Sequence, residues 1–170
     1  MCFAHADRDH PTTAAVLRAL GEVSQRAGDF TQAKKHLEES LRMKRSLHGD
    51  GAHFSLVSTL CALGEVNRLV GDLNQAKQLL EASLRMVRSL CGDRDHPMTA
   101  AVLRALGEVN RQAGDLTQAQ EQLEESLRIM RVAHADRDHP MTAAVLRALG
   151  EVKCKMCQAG VAVLLLFLLA

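Results

Sequence analysis

Cys154 and Cys157 form a CxxC, eight histidines are spread along 170 residues, and arginine and glutamate recur four apart as Arg18 and Glu22, Arg104 and Glu108, and Arg147 and Glu151. Each set could do chemistry. Two thiolates can bind zinc, but a tetrahedral site needs four ligands, and no second Cys or His pair follows at finger-like spacing. The expectation is two unpaired thiols and no metal. Seven of the histidines (His5, His10, His48, His53, His96, His134 and His139) fall in or at the edges of connecting segments, too far apart along the chain to converge on one ion. Where His10, His96 and His139 precede a proline, a histidine side chain can instead satisfy free backbone groups at a helix start. Arginine and glutamate four apart share one helix face and stabilise it by about 0.2–0.5 kcal/mol per pair. The same arginine forks suit a carboxylate brought by a ligand. The sequence has no Gly-rich phosphate loop, no nucleophile with its base and no paired carboxylates beyond ordinary helix faces. It reads as non-catalytic and without cofactor.

What positions these residues is a period of 43. Leu20-Gly21-Glu22-Val23 returns as residues 63–66, 106–109 and 149–152, Gly28-Asp29 returns as Gly71-Asp72 and Gly114-Asp115, and His10 returns as His53, His96 and His139. Such self-similarity is the mark of a repeat array, in which each unit is too small to bury its apolar face and must stack on its neighbours. Within one unit, proline at Pro11 costs only an N–H that a first helical turn leaves unpaired, and Leu17, Leu20, Val23 and Ala27 recur at the helical period. This predicts a helix A over about 12–27. Gly28-Asp29 ends it, since glycine takes the left-handed conformation freely and aspartate favours the turn. A helix B over about 31–47 follows, with Ala33, Leu37, Leu41 and Leu47 on one side and Lys34, Glu38, Arg42 and Arg45 on the other. The matching series are Ala76, Leu80, Leu84, Val87 and Leu90, then Ala119, Leu123, Leu127 and Met130.

Gly21, Gly64, Gly107 and Gly150 sit inside helix A, where glycine costs about 1 kcal/mol relative to alanine. Four copies of that cost imply a close approach, and Ala33, Ala76 and Ala119 are the small residues expected opposite. The glycine to alanine spacing, with a large apolar residue four beyond the alanine (Leu37, Leu80, Leu123) and a serine three further (Ser40, Ser83, Ser126), resembles the tetratricopeptide repeat. The longer unit and the connector Leu90-Cys91-Gly92-Asp93-Arg94-Asp95-His96-Pro97 are similar to the extended repeats of the kinesin light chain and nephrocystin families. Where the family carries an aromatic residue three positions after the glycine, this chain has Ser24, Asn67, Asn110 and Lys153, and Phe54 replaces the proline of the second unit.

The resemblance implies an all-α solenoid of antiparallel helix pairs whose concave surface is lined by helix A. The family's groove positions carry over to Arg18, Glu22 and Gln25; Glu65 and Arg68, with Cys61 interrupting the arginine row; Arg104, Glu108 and Arg111; and Arg147 and Glu151. The implied function is a protein-interaction module or adaptor that takes a peptide or partner helix, with an acidic peptide suited to the arginines. A solvated face stabilised by its own ion pairs is the competing reading of the same residues.

Composition excludes other classes. Twenty-one Lys and Arg against twenty Asp and Glu leave a charge of +1, so no global field steers the chain to nucleic acid or anionic lipid. Absence of Trp and Tyr, with four Phe, removes the stacking platforms of single-strand binders. Five cysteines without regular spacing and no signal-peptide pattern at the N-terminus fit a reduced, cytoplasmic setting.

The expected organisation is a partial connector over 1–9, repeats over 10–52, 53–95 and 96–138, the first helix of a fourth repeat over 139–155, and an irregular apolar tail over 156–170. No helix B is expected after the fourth helix A, which leaves Val145, Leu146, Leu149 and Val152 partly exposed. Ala159 to Ala170 is apolar throughout but too short to span a bilayer. The expectation is a truncated or alternatively terminated array whose tail has no evolved role; the alternatives are membrane association, with the chain as a tethered adaptor, or a helix folded back over the open end. Self-association through uncapped ends is a further alternative function.

Overall fold

The computed structural model describes residues 10–49, 51–92, 94–134 and 140–169, with side chains as far as Ala159 and without that of His134. The preceding connector read at 1–9, with His5, and His139 and Ala170 lie outside these residues. Seven helices make up the regular structure of the described residues: α1 (Pro11–Arg26), α2 (Phe30–His48), α3 (Phe54–Val70), α4 (Leu73–Cys91), α5 (Pro97–Ala113), α6 (Leu116–His134) and α7 (Pro140–Leu169). The fold is an all-α solenoid of antiparallel helix pairs. The chain divides into two units, Met1–Asp93 and Arg94–Ala170.

The local signals act as the sequence suggests. The Nδ1 atoms of His10, His53 and His96 accept from the backbone N–H two residues on, at 3.3, 3.1 and 3.1 Å. Phe54 therefore starts α3 without the proline, because the cap is histidine's. Gly28, Gly71 and Gly114 take φ of 80°, 92° and 87°, and the aspartate after each caps the next helix, accepting from Gln32, Gln75 and Gln118 N–H at 3.0–3.3 Å. Capping of this kind contributes about 1 kcal/mol per helix.

Each complete helix pair is closed in the same way. Ser40 Oγ donates to the Ala14 carbonyl at 2.6 Å, Ser83 to Val57 at 3.1 Å and Ser126 to Ala100 at 2.7 Å. The glycine makes room beside this bond. A Cβ on Gly21, Gly64 or Gly107 would stand 2.6–2.7 Å from Cγ of Leu37, Leu80 or Leu123. The residue that fills the glycine notch is thus this leucine; for Gly21 and Gly107 the alanine contributes its carbonyl oxygen at 3.3 Å.

Stacking between pairs buries the rest. In the first unit Ala33, Leu37 and Leu41 of α2 pack with Leu56, Leu60, Leu63 and Val66 of α3. In the second, Ala119, Leu123 and Leu127 of α6 pack with Val145, Ala148, Leu149 and Val152 of α7. Full burial of a leucine such as Leu37 contributes about 1.5–3 kcal/mol, so each seam holds the helices of its own unit together. Asp95 and Arg128 add a two-pronged ion pair at 2.9 Å that ties α6 to the segment before α5.

The structure departs from the sequence reading at both ends. Val16, Leu20 and Val23 of α1 are 57, 44 and 61% exposed. Their helical period is right, but among the described residues no helix B covers that side, as α2 covers α3 and α6 covers α7. Val145, Leu149 and Val152, expected to be partly exposed, are buried against α6, and only Leu146 of that set is open, at 47%. The segment expected to be an irregular tail continues α7 to Leu169. Cys157-Gln158 stands where the earlier units have Gly-Asp, so nothing halts the helix, and a continuous helix does not fold back on itself.

The glycine notch yields a paired test. Gly107→Ala is expected to destabilise the protein by about 1 kcal/mol or more, because overpacking outweighs the gain in helix propensity. Gly150 has no atom within 4 Å of a built Cβ, so Gly150→Ala is expected to be neutral or to stabilise by up to about 1 kcal/mol. Urea melts of the two variants check this, and equal effects would refute the close-approach account.

Candidate functional site

Helix A of each unit presents the candidate residues as ion pairs. On α1, Arg18 pairs with Glu22 as the four-residue spacing suggests, with both side chains about a third exposed, and Gln25 lies half-buried one turn on. On α3, Arg68 Nε donates to Glu65 at 2.8 Å, with both side chains less than a fifth exposed. On α5, Arg111 donates to Glu108 through Nε and Nη2 at 3.0 and 2.8 Å. Its Nη1 reaches Glu151 of α7 at 3.0 Å.

The pairs differ from the four-residue spacing expected. Glu108 meets Arg111, three residues on, and Glu151 goes across to Arg111 rather than to Arg147. The partly buried backbone of the stack lets one guanidinium serve two carboxylates, which a helix considered alone cannot show. Arg104 is half-buried and Arg147 exposed. At the corresponding place on α1 the arginine is Gln25.

Behind these pairs lie the residues that replace the family's aromatic. Asn67 is 1% exposed; its Nδ2 donates to the Leu63 carbonyl at 2.8 Å and its Oδ1 accepts from Lys34 of α2 at 3.1 Å. Asn110 donates to Gln122 of α6 at 2.8 Å. The cross-helix bonds do by polarity what an aromatic ring would do by area. Cys61 is half-buried, whereas Cys154 and Cys157 are exposed and unbridged. Among the described residues no group of three or more His, Cys, Asp or Glu is placed to hold a metal ion, and no helix is long and apolar enough to cross a membrane.

Tetratricopeptide repeat models match residues 55–131 and 13–53. The chain belongs to the tetratricopeptide repeat family. Among solved structures it is similar to BtubC (BKLC) from P. vanneervenii, at 19% identity and a TM-score of 0.75 over 87% of this chain and 58% of that one. A Podosopora anserina putative kinesin light chain with nearly identical TPR-like repeats gives 22% identity and a TM-score of 0.72, over 84% of this chain and 66% of that one. The TPR2AB domain of yeast Sti1, solved as a pHSP90 complex, gives 19% and 0.63, over 88% and 51%. The chain thus spans about half to two thirds of these relatives. No curated protein sequence matches it.

One residue of this tetratricopeptide array escaped the sequence reading. Lys44 of α2 is 5% exposed, at a position filled by Val87 and Met130 one and two periods on. That break in an apolar register was the available signal. Its Nζ donates to Thr59 Oγ1 at 2.6 Å and to the Ser55 carbonyl at 3.2 Å. Thr59 itself stands where Val102 and Val145 stand elsewhere, so lysine and its acceptor enter the seam together. Burial, with repulsion from Arg18 against the attraction of Glu22, lowers the Lys44 pKa from 10.5 to about 8. Beside it a cavity of about 390 Å³ is lined by Pro11, Ala15 and Arg18 of α1, Leu47 of α2, and Ser55 and Ser58 of α3.

The sign of the pH effect follows. Below about pH 8 the folded protein carries a buried ammonium whose cost is fully present. Between about 8 and 10.5 the folded state sheds that proton before the unfolded chain does, so this group's contribution to stability rises with pH. Lys44→Met is expected to stabilise the protein by about 1–3 kcal/mol at pH 7 and to flatten the rise between pH 8 and 10.5. Thr59 keeps the Ser55 carbonyl as acceptor at 2.9 Å, so the variant leaves it bonded. Urea melts at pH 7 and pH 10 decide it; an advantage that persists unchanged at pH 10 would refute the burial cost.

Proposed function

We propose that the helix A surface within a unit binds a peptide or partner helix and that the chain is a non-catalytic, cytoplasmic adaptor. The observation that supports this reading most is the set of partly buried guanidinium and carboxylate groups in each unit: Arg18 with Glu22 and Arg68 with Glu65 in the first, and Arg111 between Glu108 and Glu151 in the second. Half-desolvated arginines held in place have already lost much of their side-chain entropy. An incoming carboxylate then gains a planar two-pronged bond at less ordering cost. Arg147, exposed while Glu151 is held by Arg111, is the group best suited to a ligand carboxylate, with Arg104 at the matching place on α5; Arg111 holds α5 to α7. The yeast Sti1 domain, solved with pHSP90, is a relative of this fold with a partner bound.

A second reading, assembly of copies or neighbouring repeats through α1, has its own support in the exposure of Val16, Leu20 and Val23. Light scattering of Leu20→Glu against the parent separates it: unchanged mass would reject assembly through that face.

For the groove, Arg104→Gln with Arg147→Gln is expected to weaken an oligo-glutamate peptide about threefold to tenfold, equivalent to about 0.7–1.4 kcal/mol. Helical content should be unchanged. The salt dependence of binding should flatten too, since exposed charges are screened over about 8–10 Å at physiological ionic strength. Fluorescence anisotropy at two salt concentrations measures both effects, and equal affinity for acidic and neutral peptides would reject the groove in favour of a solvated face.

A further inference from the structure

Residues 97–109 and 140–152 are the same thirteen amino acids, Pro-Met-Thr-Ala-Ala-Val-Leu-Arg-Ala-Leu-Gly-Glu-Val, and begin α5 and α7. One sequence therefore appears in two surroundings. On α5, helix α6 covers it: Ser126 donates to the Ala100 carbonyl at 2.7 Å, Leu123 fills the space at Gly107, and Ala100 and Leu103 are 0 and 1% exposed. On α7 the matching Ala143 and Gly150 are exposed, Leu146 is 47% exposed, and nothing lies within 4 Å of a Cβ built on Gly150. The other side of α7 is satisfied, with Val145, Ala148, Leu149 and Val152 packed on α6. What is bare on α7 is the face that a helix B covers in each of the three complete pairs.

We propose that this face of α7 binds a partner helix in trans. The occupant is an amphipathic helix with a small residue, a leucine four positions later and a serine three further, the pattern of Ala33, Leu37 and Ser40, of Ala76, Leu80 and Ser83, and of Ala119, Leu123 and Ser126. Three copies of the interface within the chain define this chemistry. The leucine enters the notch at Gly150, and the serine hydroxyl donates to the Ala143 carbonyl as Ser126 does to Ala100. A glycine gap with room for one side chain, beside the exposed Arg147, selects a helix rather than a flat apolar surface. The site adjoins the proposed peptide groove at Arg147 but does not use its arginine and glutamate pairs.

The ligand to test is the chain's own α6 sequence, residues 116–134, as a labelled peptide added to the intact protein. Anisotropy should report saturable binding, with helix gained by the peptide on mixing. Replacing its leucine by alanine at the position of Leu123 should weaken binding at least about tenfold, since one buried leucine at such a crossing carries that much. Gly150→Ala on the protein should weaken it comparably by closing the notch, while leaving the melt neutral or raised. Arg104→Gln with Arg147→Gln should change it less than Gly150→Ala does. No saturable binding, or equal binding to the Gly150→Ala protein, would overturn the proposal. So would loss of binding with Leu20→Glu on α1 but not with Gly150→Ala, which would place the peptide on the other exposed face.

Discussion

A helix B leucine seated against a helix A glycine is the contact on which the rest of this array depends. At Gly21, Gly64 and Gly107 the backbone comes close enough to Leu37, Leu80 and Leu123 that a single added methyl group has no space. That closeness brings the serine hydroxyl to the carbonyl seven residues before the glycine, at Ala14, Val57 and Ala100. Buried hydroxyl and carbonyl are satisfied together, which a looser crossing would forfeit. With each pair fixed in this way, its outer surface has a defined shape on which the next helix packs, and nearest-neighbour contacts suffice to order the units.

The same economy explains where polar groups enter the stack. Glycine notches and alanines set the spacing of the pair, so the place of the family's aromatic can be taken by asparagines that bond across helices, Asn67 to Lys34 and Asn110 to Gln122. Lys44 is the exception that costs stability: its ammonium stands at an apolar register position in the seam, where Thr59, the Ser55 carbonyl and the attraction of Glu22 offset part of the lost hydration. Such a group narrows the alternatives available to the α2 and α3 seam, because the ammonium must meet its acceptors. The exposed faces of α1 and α7 arise from the same rule. A helix whose sequence is made for two neighbours keeps an open side wherever one of them is lacking.

The sequence by itself determined the helical class, the helix pairs and their caps. These follow from local rules: the 3.6-residue period, proline at helix starts, and Gly-Asp turns whose glycine accepts a left-handed φ. It also determined that glycine marks a close crossing, since its intrinsic cost in a helix needs a compensating contact. The tetratricopeptide assignment was legible for the same reason, because the small and large residues that define the family are those that define the crossing. The groove residues were legible as positions but not as partners. Which glutamate Arg111 meets depends on α7 lying beside α5, and an ion pair four residues apart competes with one three apart on terms that only packing settles.

Tertiary structure alone decided burial. Val23 and Val152 occupy the same place in nearly the same sequence, yet one is 61% exposed and the other 0%, because α6 covers that side of α7 and no described helix covers that side of α1. Leu103 and Leu146 differ likewise within identical stretches of chain, and the open side of α7 is visible only by that contrast. Lys44 shows the converse, a charged residue placed in an apolar register, whose lowered pKa comes from the seam around it. Periodicity records which side of a helix is apolar. Whether that side meets water or another helix is a property of the neighbours, and it is the neighbours that the three-dimensional structure supplies.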